Sequence, residues 1–306
     1  CDLSEIIIMS KIDQKILDSL FRDIVKFYSS SKTSIITLRA LINAIKFLEC
    51  KDDMFRVQIM EVCKTITSSQ PRMFPIDNLI ILLEHELEKN SFFEDKDISI
   101  KKSATIEIIE DLITRLNYDM RELANQGLDH IKDGDFIVLH AAEEPVELLL
   151  PEAKNMGREF EVLILRQESV KTDRVIQIMK QNQIKFTVIP EWDLIHNFDK
   201  VTKLFIGAYA ITADGKFVSD SGTSNIVSEC YIHKLPIYLF APILEITSTV
   251  SDDQNIYLKE ESQYASGVDY TLISHSCDIV NLDLVNHIIT DQGELRKEKL
   301  KGYCIV

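Results

Sequence analysis

The chain predicts an α/β protein with an α-helical N-terminal domain followed by a Rossmann-like parallel-sheet C-terminal domain. Three observations carry that prediction. Up to residue 131, apolar residues recur at three- and four-residue spacing, the period of a helix with one buried face. From Asp133-Gly134 onward, short continuous apolar runs alternate with helical stretches, the pattern of a parallel sheet covered on both faces. Within that second region, Phe205 to Ser224 reads strand, glycine, tight turn and helix start, one crossover unit of such a sheet. The expected domains are therefore 1–131 and 132–306.

The first helical stripe carries Ile16, Leu17, Leu20, Phe21, Ile24 and Val25, and Ser29-Ser-Ser31 interrupts it. Leu38, Leu41, Ile42, Ile45 and Leu48 mark a second helix. Phe55, Ile59, Met60, Cys63 and Ile66 mark a third. It stops at Ser68-Ser-Gln-Pro71, because proline drives the residue before it out of the helical region. Residues 76–89 form another amphipathic helix, and Phe92 to Ile100 reads as a polar, acidic connector. The longest stripe runs through Ile106, Ile109, Ile113, Leu116, Met120, Leu123 and Ile131. Ser103 is placed to cap it, with Glu107 in the first turn, so a helix over 103–131 is expected to link the two domains.

In the second region the expected strands are Phe136–Leu139, Val162–Leu165, Phe186–Ile189, Leu204–Ile206 and Ile237–Phe240. Helical stretches such as Pro145–Lys154 and Arg174–Gln181 lie between them. This alternation is that of a doubly wound sheet. Ser248–Gln263 is polar and acidic and reads as a mobile surface loop.

Composition removes several function classes. The formal charge is −15, and neither half is basic: residues 1–131 hold 17 Lys and Arg against 22 Asp and Glu, and residues 132–306 hold 17 against 27. Direct binding to a nucleic-acid backbone is not expected from such a chain. No apolar run approaches the roughly 20 residues that span a bilayer. Ile6-Ile-Ile-Met9, flanked by Asp2 and Glu5, is too short for a signal-peptide core. The six cysteines form no CxxC pair and no His pair sits at zinc spacing, the pattern of reduced, buried thiols in a cytoplasmic protein with no metal site. No cofactor fingerprint of the GxGxxG or GxxxxGK[ST] type and no GxSxG motif occurs, so no cofactor and no catalytic residue is assigned.

Candidate positions remain. Gly207 ends the fourth apolar run, and Gly222-Thr223-Ser224 opens a helix whose free N–H groups suit an anion. The alternative is a plain helix start capped by Thr223 or Ser221, which the carboxylate of Asp220 favours. His140 with Glu143-Glu144 follows the first strand. It reads as a solvated helix start rather than a metal site, because adjacent Glu side chains diverge on a helix. Cys230 reads as a buried structural thiol. Trp192, in Pro190-Glu-Trp-Asp193, is either an interface anchor or a loop cover.

The strand–glycine–turn–Gly-Thr arrangement resembles the sugar-phosphate isomerase superfamily that also contains the regulatory subunits of translation initiation factor 2B. Further stretches resemble the beta subunit: Gln70-Pro71 between helices, Leu116-Asn-Tyr-Asp-Met120 through Leu128-Asp-His-Ile131 in the long helix, and Phe240-Ala-Pro242 after a strand. Cys277 to Val285, then Ile289-Thr-Asp-Gln-Gly293, is similar to the ending shared by the alpha, beta and delta subunits, with Asn281-Leu282 where that family has Pro-Pro. The resemblance covers most of residues 10–295. In the isomerases an acidic residue stands two places after the strand-ending glycine, where this chain has Tyr209, and Glu143-Glu144 stand near where sugar-phosphate binders carry Ser-Arg or similar groups.

The resemblance implies a non-catalytic regulatory subunit of the guanine-nucleotide exchange factor for initiation factor 2. Its expected partners are the delta, alpha, gamma and epsilon subunits and the phosphorylated alpha subunit of initiation factor 2. Trp192 and Pro242 are expected at an interface, and Gly207, Gly222, Thr223 and Ser224 as a vestigial anion seat. The alternatives are an isomerase of ribose-1,5-bisphosphate or methylthioribose-1-phosphate, or a homo-oligomeric non-enzymatic regulator on the same scaffold.

Overall fold

A computed structural model describes residues 24, 28–68, 74–89, 97–167, 169–248 and 258–304. Apart from Ile24, which is helical, the first predicted helical stripe and the Gln70-Pro71 turn lie outside the described residues. The contacts divide the chain into two compact units, the second running Met120–Cys304.

The first unit is helical. Helix α1 spans Ser30–Phe47, and Ser29 caps it by accepting the Lys32 N–H at 3.3 Å. Helix α2 spans Phe55–Thr67 and α3 Phe74–Lys89. Helix α4 spans Ile98–Gly127, so its first turns belong to this unit and its last to the next. Leu38, Leu41 and Ile45 of α1, Phe55 and Ile59 of α2, Leu83 of α3 and Ile109 of α4 are buried at the spacing the sequence predicts.

Helix α4 starts five residues before Ser103, and part of the predicted acidic connector is therefore helical. Asp97 Oδ1 takes the Ser99 N–H at 2.8 Å and Asp52 Oδ1 takes the Ile98 N–H at 3.1 Å, satisfying the first free donors from outside. Ser103 sits inside the helix and bonds the Ser99 carbonyl at 3.0 Å.

The second unit is a doubly wound α/β domain. Its strands and helices run in order β1 Phe136–Leu139, α5 Glu144–Asn155, β2 Glu161–Arg166, α6 Ser169–Gln181, β3 Lys185–Pro190 and β4 Lys203–Gly207. A hairpin, β5 Ala210–Thr212 and β6 Lys216–Asp220, precedes α7 Thr223–Ile232 and β7 Ile237–Phe240. Then come β8 Ile246–Thr247, β9 Leu258–Ala265, β10 Val268–His275, β11 Cys277–Asn281, β12 His287–Thr290 and β13 Gly293–Leu295.

The main sheet has the order β13-β12-β7-β4-β1-β2-β3, parallel throughout except for β13. Numbered by their own succession, the parallel strands lie 6-5-4-1-2-3, the Rossmann order. Each strand sends alternate residues to opposite faces. Ile137, Leu139, Val162, Ile164 and Phe205 pack beneath α5, α6 and the end of α4. Val138, Leu163, Leu204 and Ile206 pack against α7 and against Ile211, Phe217, Ile246 and Val280. The last four belong to a second sheet of order β11-β6-β5-β8. At roughly 1.5–3 kcal/mol per buried Leu, Ile, Val or Phe, this double-sided burial accounts for the apolar runs.

Two further expectations are corrected. Within the expected loop Ser248–Gln263, residues from Leu258 onward form strand β9, which pairs antiparallel with β10. The helix expected at Arg174–Gln181 begins earlier, at Ser169. Among the described residues, no helix is long and apolar enough to cross a membrane.

Candidate functional site

The sheet reverses its direction of winding between β1 and β4, which pair with Leu139 opposite Phe205. Connections from these two strands leave in opposite directions, so a crevice opens beyond their C-terminal ends, the place where such folds hold ligands. His140 and Ala141 follow β1, and Gly207 ends β4. Ala141 takes a left-handed φ of 47°, strained for a residue with a Cβ, while its N–H donates to Gln167 Oε1 at 2.9 Å and its carbonyl accepts the Gly207 N–H at 2.9 Å.

The crevice is filled by the chain's own acids. A Cβ on Gly207 would lie 2.6 Å from both Cβ and Cγ of Glu143, so the glycine is required by the close approach of that side chain. Gly222 takes φ 91° at the start of α7, a position that suits glycine, and offers no side-chain cap. The Ser224 N–H at that helix start is taken by Asp278 Oδ2 at 2.9 Å, a carboxylate from β11. A side-chain anion thus occupies the positive helix end. Glu191 Oε2 lies 2.9 Å from where a Gly222 Cβ would stand.

Beside this seat is a buried ionic cluster. Lys171 of α6 donates to Asp220 Oδ1 and to Tyr209 Oη, each at 2.6 Å, and the Tyr209 hydroxyl also donates to Asp220. Burial alone would lower Lys171, but the Asp220 and Glu143 carboxylates override it and raise the ammonium above its ordinary value. Burial alone would raise Asp220, but the Lys171 charge and hydrogen bond hold its carboxyl below the usual range. Burial, then the charges of Asp220 and Glu143, push the Tyr209 phenol well up, so it stays a neutral donor. Burial pushes the Cys277 thiol to about 12, with the Asp220 charge second, so it is not a thiolate nucleophile.

His140 closes the arrangement. The Thr223 hydroxyl donates to the Asp220 carbonyl at 2.6 Å, so at 3.0 Å it accepts from His140 Nε2–H. The other ring nitrogen, Nδ1, lies 3.4 Å from Glu191 Oε1, an ion-pair distance when the ring is protonated.

Of the residues singled out by sequence, Gly207, Gly222, Thr223, Ser224, His140 and Tyr209 therefore meet at the switch point. Trp192 does not: it stands in a 3₁₀ turn, Glu191–His196, and is 78% exposed. Pro242 is buried after β7 and starts another 3₁₀ turn. Cys230 is fully buried in α7, its thiol pushed to about 12 by burial and then by Glu229. Sequence reasoning missed Lys171, Glu191 and Asp278, which reach the site from 49, 31 and 54 residues away along the chain. Lys171, two residues into a helix that the apolar pattern recognises only later, carried no local signal.

The comparisons with known proteins agree with this architecture. A family model described as the initiation factor 2 subunit family matches residues 26–297. The delta subunit of translation initiation factor eIF2B from Dictyostelium discoideum is 22% identical over 295 residues, 88% of this chain and 47% of its own. The beta subunit from the same organism is 26% identical over 203 residues, 63% of this chain and 52% of its own. The chain thus spans about half the length of these two relatives. A ribose 1,5-bisphosphate isomerase of Haloferax volcanii is 16% identical over 257 residues, 81% of this chain and 78% of its own.

Among solved structures, the translation initiation factor eIF-2B of Pyrococcus horikoshii OT3 superposes with a TM-score of 0.77 at 20% identity, covering 92% of this chain and 95% of its own. A chain of the tetrameric eIF2B-beta2-delta2 complex from C. thermophilum superposes with 0.73 at 16% identity, covering 96% and 93%. At such identities these two likenesses show the fold. The family match, which takes in nearly the whole described chain, shows more: this chain belongs to the initiation factor 2 subunit family.

Proposed function

We propose that this chain is a non-catalytic regulatory subunit, of beta type, in the guanine-nucleotide exchange factor for translation initiation factor 2. The observation that carries the non-catalytic part is the closed switch point. Glu143 fills the space over Gly207, Asp278 holds the Ser224 N–H, and Asp220 neutralises Lys171. A sugar phosphate entering there would meet three carboxylates in place of free cations and free N–H groups. The retained scaffold then serves assembly.

In this reading residues 132–306 pair with a delta subunit, and the pair joins alpha, gamma and epsilon subunits, with exchange catalysed by epsilon. The helical region 1–131 faces the phosphorylated alpha subunit of initiation factor 2. The work is cytoplasmic, without cofactor, metal or nucleic acid at the site. The relatives named delta and beta, and the beta–delta complex among the superposed structures, support the choice of partners.

The test is the native mass of this chain expressed alone and with the delta subunit from the same source. A stable heteromer that recruits gamma and epsilon is the expected result, and indifference to delta overturns it. Turnover of ribose-1,5-bisphosphate or methylthioribose-1-phosphate by the pure chain would establish the isomerase alternative instead.

A further inference from the structure

The His140 side chain is fully buried, and its Nδ1 atom has no hydrogen-bond partner among the described residues. Thr223 explains why. Its one hydroxyl proton goes to the Asp220 carbonyl, so His140 carries its hydrogen on Nε2, and a neutral ring then leaves Nδ1 bare. Glu191 Oε1 stands 3.4 Å from that bare nitrogen. A lone pair faces a carboxylate across a gap longer than a good hydrogen bond, with no proton between them.

Protonation of the ring reverses the sign of this contact. Nδ1 gains a hydrogen facing Glu191, and a charge-assisted bond closes to about 2.8 Å. Histidine is the side chain whose charge ordinarily changes between about pH 5 and 8. The charged groups around the ring come from several elements. Glu191 opens the turn after β3, and Asp220 ends β6 within electrostatic reach of the ring. Glu143 precedes α5, Asp278 lies on β11, and Lys171 of α6 is bound to Asp220. Tyr209 and Cys277 stay neutral.

Glu191 also reaches the start of α7, with Oε2 2.9 Å from where a Gly222 Cβ would stand. It opens the 3₁₀ turn Glu191–His196, which Leu194 anchors in the core and in which Trp192 is exposed.

We infer that His140 and Glu191 form a proton-operated clamp. The protonated ring draws Glu191 inward and holds the turn that carries Trp192, and the neutral ring releases it. The clamp lies within one chain, needs no partner and does not rest on the exchange-factor reading.

Trp192 is the chain's only tryptophan and so reports on its own turn. The experiment is time-resolved fluorescence anisotropy of the chain from pH 8 to pH 5.5. The amplitude of fast local motion at Trp192 falls in one step as the pH falls. Glu191→Gln, whose amide donates to the neutral Nδ1, keeps the low amplitude at pH 8. Glu191→Ala keeps the high amplitude at pH 5.5. Opposite plateaus from two changes at one partly exposed residue are an outcome that misfolding does not produce. Two other histidines lie near the reporter: His196 ends the turn, and His233 stacks on Phe198 at 3.9 Å. His196→Gln and His233→Gln each leave the step in place. A wild type without the step, a step that survives Glu191→Ala, a Glu191→Gln chain that behaves as Glu191→Ala does, or a step lost with His196→Gln or His233→Gln overturns the inference.

Discussion

Lys171 decides how the crevice is built, because its ammonium contacts both Asp220 and Tyr209. Removing one partner of a buried pair costs about 3–5 kcal/mol, since the other charge is left uncompensated. Lys171→Met is expected to lose about that much stability in urea denaturation, and Lys171→Met with Asp220→Leu to regain a large part of it. The pH dependence gives a sharper check. The lowered Asp220 carboxyl contributes stability that is present above the unfolded carboxylate value of about 3.9 and lost as pH falls through the folded value. The raised Lys171 contributes below about 10.4 and loses that contribution as pH rises through its folded value. Between those limits the pair leaves wild-type stability flat. In Lys171→Met the buried Asp220 loses its counter-ion and its carboxyl rises above the unfolded value, so the variant gains stability as pH falls from 7 to 5. A variant that weakens over that range contradicts the assignment.

At the scale of the elements, β4 and α7 hold the site through two glycines. Gly207→Ala places a Cβ against Glu143 and 3.0 Å from the Ala141 carbonyl, and overpacking of this kind costs about 1–3 kcal/mol. Asp278→Asn removes the charge facing the start of α7 and costs roughly 1 kcal/mol, read as a lower denaturation midpoint that high salt partly masks.

The same elements explain what could be read from sequence. Strands β1, β2, β4 and β7 were legible because burial on both faces writes continuous apolar runs such as Phe136-Ile-Val-Leu139, and the half-exposed edge strand β3 was legible by its run Phe186–Ile189. The other edge strand, β13, and the second-sheet strands were not. Ala210-Ile-Thr212 and Ile246-Thr247 are too short to show a period, and β9 reads Leu-Lys-Glu-Glu-Ser-Gln-Tyr-Ala, too polar to stand out as a strand. The glycines and the Thr223 helix start were visible locally. Lys171, Glu191 and Asp278 were not, since only the winding of the sheet brings them together.

At the scale of the whole molecule, a doubly wound domain keeps the place where its fold binds ligands and fills it with its own carboxylates. The chain belongs to a family in which translation-factor subunits and a sugar-phosphate isomerase both appear among its relatives. The closed switch point places this member with the subunits in the proposed reading, and no turnover of ribose-1,5-bisphosphate is expected above background by ³¹P NMR. The most direct measurement of the regulatory claim is nucleotide release from initiation factor 2 by the exchange complex reconstituted with and without this chain. The complete complex is expected to slow when the alpha subunit of initiation factor 2 is phosphorylated, and omitting this chain is expected to abolish the slowing while epsilon retains exchange activity. Equal sensitivity to phosphorylation in its absence would contradict it.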